Sequence, residues 1–186
     1  MKKIRYIALF WLFCQTLLAV NSLAQEKWNQ AMNIQHFKAT FTQTKQAPYI
    51  KDAWHALGNI RIENDTTFYF EYTQPTAYVL SITGNEVYVL SGQKETKTTL
   101  QQNRIATMIK SLVGSDSMPF DKTLVAEPGK SSNLYQWELT PNRRDLKRFV
   151  SKVVLSINPN ESYFSTIVIV SAQQETTTIQ IKQVSE

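Results

Sequence analysis

Phe37-Lys38-Ala39-Thr40-Phe41-Thr42-Gln43 sets an apolar side chain at every second position with a polar one between. Successive side chains of an extended chain point to opposite faces. This stretch therefore buries Phe37, Ala39 and Phe41 on one face and wets Lys38, Thr40 and Thr42 on the other, as a half-buried strand requires. The same period recurs downstream: Trp54, Ala56, Gly58, Ile60 and Ile62 share one face, as do Phe68, Phe70 and Tyr72, and then Tyr78, Leu80 and Ile82. Gly84-Asn85 supplies a turn before Val87 to Leu90. The reading is a meander of antiparallel strands.

Helical spacing interrupts the alternation twice. Upstream, Trp28, Ala31 and Met32 follow i, i+3, i+4, so residues 26–33 are expected to form a short amphipathic helix with one sticky face. Downstream, Ile105, Met108, Ile109 and Leu112 take helical spacing after Asn103, and Gly114 offers a C-terminal stop. Strands resume at 134–139, 149–157, 163–170 and 176–182, separated by turn-rich stretches that begin at Glu127-Pro128-Gly129 and Asn158-Pro159-Asn160. About nine to eleven strands and two short helices make the chain mainly β: an incomplete, open antiparallel β-barrel with the helices as a lid over its concave face.

Residues 1–24 read as a secretory signal peptide. Lys2, Lys3 and Arg5 form the positive start, 6–20 the apolar run, and Ser22-Leu23-Ala24 the small-x-small cleavage signature. About 15 apolar residues, interrupted by Gln15 and Thr16, fall short of the roughly 20 that a bilayer-spanning helix needs. Cys14 follows Trp11-Leu12-Phe13, where a lipidation signal would need small residues, so the exported chain is expected to carry neither cysteine nor lipid. The expected mature protein is one domain, residues 25–186, large enough to enclose a core without disulfides.

Export and charge together exclude several function classes. The leader holds three of the 20 basic residues, leaving 17 against 15 acidic ones, so the net charge of +5 is mostly a property of the leader. Beyond Arg143-Arg144 and Lys147-Arg148 the basic residues are scattered singly, a poor match to a nucleic-acid surface. His36 and His55 lie out of phase with the apolar positions beside them, which places both toward solvent or the rim, and no cysteine or carboxylate pair joins them as metal ligands. There is no Gly-rich phosphate loop, no Gly-x-Ser-x-Gly and no aspartate-rich calcium loop. No cofactor is expected, and no residue nominates itself as a catalytic centre.

A family pattern runs through these strands. Phe37-Lys-Ala-Thr-Phe-Thr-Gln43 resembles the Phe-x-Ala-x-Phe-x-Gln first strand of LolA-type periplasmic lipoprotein carriers. In the same order, Gly58-Asn-Ile-Arg-Ile62 resembles their Gly-x-Leu-x-Val, Phe68-Tyr-Phe70 their Phe-x-Trp, and Thr73-Gln-Pro75 their Thr-Gln-Pro. Gly84-Asn-Glu-Val-Tyr88 is similar to their Asp-Gly-x-x-Leu-Trp hairpin and Leu139-Thr-Pro141 to their Leu-Thr-Pro. The resemblance covers residues 37–141; beyond that the chain fits in pattern only.

What the resemblance implies is a non-enzymatic periplasmic carrier that shields the acyl chains of lipoproteins in an apolar cavity and moves them from the inner toward the outer membrane. It implies lipoproteins or other lipids as cargo, an inner-membrane release transporter, an outer-membrane acceptor, and a monomer. A lipid carrier of another cargo, an envelope sensor of the same fold, and a secreted enzyme with an unrecognised site are the alternatives. Candidate lipid-binding residues are Trp28, Met32, Met108, Ile109 and Leu112 from the lid, and Phe41, Ile60, Ile62, Phe68, Phe70, Leu80, Val89 and Trp137 from the wall. Each wall residue is equally suited to closed core and to cavity lining, because both need the same side chains. Two departures stand out. The family's basic pair and proline before Phe-x-Trp, with the arginine that latches the lid, is replaced by Glu63-Asn64-Asp65, leaving Asn64, Arg61 or Arg104 as substitutes, and the family's C-terminal Phe-x-Phe and Pro-Pro-x-Gly run is missing.

Overall fold

The computed structural model describes residues 26, 28–31, 36–63, 67–99, 124–128, 135–142 and 144–184. Helix α1 is helical at 26 and 28–31. The strands are β1 (His36–Gln46), β2 (Trp54–Glu63), β3 (Thr67–Gln74), β4 (Tyr78–Thr83), β5 (Glu86–Ser91), β6 (Lys94–Thr99), β7 (Leu124–Pro128), β8 (Tyr135–Pro141), β9 (Val150–Ile157), β10 (Thr166–Ser171) and β11 (Thr176–Gln183). A single turn of helix, α2 (Arg144–Lys147), precedes β9.

All eleven strands lie in one sheet, ordered β6-β5-β4-β3-β2-β1-β11-β10-β9-β8-β7, and every pairing is antiparallel. The first strand pairs with the last, so two meanders join at β1–β11. The edges are β6 and β7, strands consecutive in sequence that do not pair, which leaves the barrel open among the described residues. The expected open antiparallel sheet is therefore the observed one, while the second expected helix, after Asn103, lies outside the described residues.

Four details differ from the sequence reading. Lys94–Thr99 is a strand despite its lack of apolar residues, because the Gly92 turn, at φ 60°, folds it back along β5. Glu127 and Pro128 close strand β7 instead of opening a turn, and the proline sits at the end of an edge strand, a place where sheets tolerate proline. Strand β10 starts at Thr166, not at 163, since Tyr163 and Phe164 turn into the core ahead of it. Trp54 keeps the phase of Ala56 and Ile60 yet is 41% exposed, because it stands at the rim.

Two closed cores form on the concave face. One joins Trp28 and Ala31 of α1 to Trp137, Leu139, Val150, Val153, Leu155, Ile157 and Phe164. The other joins Phe37, Ala39, Phe41, Ile60, Ile62, Phe68, Ile82, Val87 and Tyr163. Gly58 is required within the second: a Cβ there would lie 2.3 Å from the Glu71 carbonyl oxygen and 2.6 Å from the Phe41 ring, which covers the glycine.

Candidate functional site

Cross-strand register aligns the concave face in rows. Phe37, Ile62, Phe68, Ile82 and Val87 form the first, and each is buried. One row on, Ala39 and Ile60 are buried but Phe70, Leu80 and Val89 are only half-buried. In the next, Phe41 and Gly58 are buried while Ile181, Tyr72 and Tyr78 are half-buried. Beyond lie Gln43 with Ala56, and then Lys45 with the exposed Trp54. In this half of the sheet the face is sealed at the Phe37 end and opens toward Trp54, although Ala56 stays buried.

The same face continues across β11 into the other half. Ile179 pairs with Gln43 on one side and Ile167 on the other, and Ile169 follows along β10. Ile167 and Ile169 are half-buried against the first core, Ile179 and Ile181 against the second. An apolar seam thus runs between two sealed cores. Such a partly covered groove is what an acyl chain can enter without displacing packed side chains.

Aromatic contacts hold the walls. Phe41 meets Tyr72 edge-on at 5.1 Å and Phe70 at 6.5 Å, and Tyr72 stacks on Tyr78 at 4.3 Å and 11°. The Tyr72 hydroxyl donates to Gln43 Oε1 at 2.8 Å. Burial, reinforced by neighbouring Tyr78, pushes the Tyr72 phenol well above its usual range, so it is neutral and a donor at any physiological pH. Trp28 packs edge-on against Trp137 at 5.1 Å and Phe164 at 5.4 Å, covering the concave face of β8.

Most wall candidates come together on this face, in two states. Phe41, Ile60, Ile62, Phe68 and Trp137, with Trp28 from α1, are buried in the cores, whereas Phe70, Leu80 and Val89 border the groove. Met32, Met108, Ile109 and Leu112 lie outside the described residues, as do Asn64 and Arg104. Arg61 is no lid latch: it is out of phase with Ile60 and Ile62, contacts Glu63 and Glu71, and lies 4.2 Å over the Tyr69 ring on the outer face. Tyr72, Ile167, Ile169, Ile179 and Ile181 are groove residues absent from the sequence-based set. The alternation of Ile179 and Ile181 with Thr178, Gln180 and Lys182 is the signal that marks the last two.

His55 is exposed, with Nδ1 3.2 Å from the Thr44 hydroxyl. Among the described residues no group of three or more His, Cys, Asp or Glu could hold a metal ion, and no helix is long and apolar enough to cross a membrane.

No curated protein matches the chain. Among solved structures, a LolA superfamily protein from Nitrosomonas europaea is similar at 14% identity and TM-score 0.51, over 88% of this chain and 94% of that one. The Mycobacterium tuberculosis lipoprotein LppX is similar at 10% identity and TM-score 0.48, over 87% and 94%. The family model described as outer membrane lipoprotein carrier protein LolA matches residues 32–186. With the open barrel and its apolar concave face, that match places the chain in the LolA family, whose fold is that of lipid- and lipoprotein-binding carriers.

Proposed function

We propose that this protein is a periplasmic carrier that takes the acyl chains of a lipoprotein, or of a similar amphiphile, into the seam between its two cores and moves them from the inner toward the outer membrane. The observation that supports the reading is the half-buried row of Phe70, Leu80 and Val89 on the same face as the half-buried Ile167, Ile169, Ile179 and Ile181, with β2 and β1 between them. A buried methylene gains about 0.8 kcal/mol over water, so a sixteen-carbon chain gains on the order of 12 kcal/mol by entering such a groove. Free lipid in water is then negligible. Moving the same chain from a bilayer into the groove exchanges one apolar medium for another and is nearly neutral. Loading therefore calls for work from an inner-membrane release transporter, and unloading for a better acceptor at the outer membrane.

The reading is of a binding protein that leaves its cargo chemically unchanged. In this reading residues 1–24 are a cleaved export signal, and Phe41, Ile60, Ile62 and Phe68 shape the wall behind the residues that touch lipid. The test is transfer of a fluorescent fatty-acid probe: the purified protein should take it from water and surrender it to added vesicles. Folded protein that never takes up the probe would refute the carrier reading.

A further inference from the structure

We propose that the pocket at the open end of the groove is a subsite for the polar head of the carried lipid, and that it prefers heads joining a carbonyl to a hydroxyl or amine over anionic heads. The inference rests on the carrier reading and gives the cargo an orientation.

The groove is sealed at the Phe37 row and gives way at the Gln43 row, six residues along β1, where Gln43 and Ile179 are half-buried although Ala56 stays buried. At about 3.3 Å per residue this is roughly 20 Å, comparable to the depth of one bilayer leaflet, about 15 Å. An acyl chain laid with its methyl end against Phe37 and Phe68 thus brings its head to Gln43.

There polar side chains join the apolar wall. A pocket of about 490 Å³ is lined by Gln43, Lys45, Ile50, Asp52, Trp54 and Glu175, and Gln43 belongs both to it and to the apolar groove. Two of its charges are already matched: Lys45 Nζ lies 3.0 Å from Glu175 Oε2, and the Tyr49 hydroxyl donates to Glu175 Oε1 at 2.8 Å. Two groups remain available. Tyr72 occupies Gln43 Oε1, which leaves the Nε2 donor without a partner among the described residues, and the exposed Asp52 carboxylate likewise has none. One donor and one acceptor suit a head that offers a carbonyl oxygen to Gln43 and an O–H or N–H to Asp52. Lys45, Glu175 and Asp52 together carry one net negative charge, which disfavours a carboxylate or phosphate head. The apolar body of Trp54, 41% exposed at the rim, suits the boundary between chain and head.

Monopalmitoylglycerol and palmitate share a chain and differ in the head, so competition between them for the full-length protein tests the subsite. Each is titrated against a bound fluorescent acyl probe. Monopalmitoylglycerol should displace the probe at about ten-fold lower concentration, as expected of one well-made hydrogen bond and the absence of charge repulsion. Gln43→Leu should weaken monopalmitoylglycerol several-fold and leave palmitate nearly unchanged. Asp52→Asn, in an exposed loop where folding is not at stake, should strengthen palmitate. Equal displacement by the two lipids, or a ratio that neither variant moves, would overturn the head subsite while leaving the carrier reading intact. Failure of the probe itself to bind would overturn both.

Discussion

Phe70 and Leu155 are both apolar and both point to the concave face, but they differ in what lies in front of them. Leu155 is 0% exposed in a sealed core, whereas Phe70 is half-buried at the groove. Leu155→Ala should cost about 2–5 kcal/mol of stability by opening a cavity, read as a lower urea midpoint, with probe affinity in the folded fraction preserved. Phe70→Ala should show the opposite balance, with a modest loss of stability and probe binding weakened by about 1–3 kcal/mol of lost apolar contact. Equal effects of the two on binding would place the groove elsewhere. Gly58 gives a third contrast. Its α-hydrogen faces the Phe41 ring and the Glu71 carbonyl so closely that Gly58→Ala must shift backbone, and about 1–3 kcal/mol should be lost in a chemical denaturation series. Phe41→Ala should relieve the ring clash, so the double variant should lose less than the sum of the two singles.

At the scale of elements, the end of β1 and the β1–β2 connection are fastened to the β10–β11 turn through Glu175, which takes Lys45 and Tyr49. The hydrogen bond from Lys45, then that from Tyr49, holds the Glu175 carboxyl below its ordinary value of 4.5, and the same carboxylate raises the Tyr49 phenol. Because the folded value is the depressed one, this fastening is intact above the ordinary carboxylate range and is lost only as pH falls through the lowered value. An NMR titration of the Glu175 side chain should inflect below 4.5, and Lys45→Met should move the inflection up. An inflection at or above 4.5 in the unaltered protein would show that the fastening does not form. Lys45 and Tyr49 are solvent-exposed and Glu175 is only half-buried, so the contribution to global stability is small; the effect belongs to the rim of the groove.

For the whole molecule, order and openness are linked. Pairing β1 with β11 puts consecutive strands β6 and β7 at opposite edges of the open sheet. A closed barrel of side-chain-filled strands would leave no seam, whereas this sheet keeps two sealed cores with a groove between them. Carriage between membranes also requires export. Cleavage after Ala24 is expected from the small residues Ser22 and Ala24 behind the apolar run. N-terminal sequencing of the periplasmic fraction should therefore begin at Gln25, and an intact leader in the membrane fraction would speak for an anchor instead.

The strands of this fold were legible because period-two alternation is a local property. Phe37 to Phe41, Ala56 to Ile62 and Phe68 to Tyr72 each reveal which face is buried without knowledge of any partner. Strand β6 was not legible, since Lys94-Glu95-Thr96-Lys97-Thr98-Thr99 has no apolar face and owes its conformation to the Gly92 turn and to pairing with β5. Family membership was also readable, from motifs whose order and spacing survive along the chain. The division between core and groove was not. Phe68 and Phe70 are two residues apart on one face of one strand, and by sequence they are equivalent. Tertiary structure separates them: the row of Phe68 is sealed by Phe37, Ile62, Ile82 and Val87, while Phe70 stands where the sheet opens. Nor could the sequence bring Gln43, Asp52, Trp54 and Glu175 to one rim, because they meet only when β1 pairs with both β2 and β11. Alternation fixes which way a side chain points; what stands before it depends on the strands brought alongside, from Phe37 in the row of Phe68 to Glu175 beside Lys45.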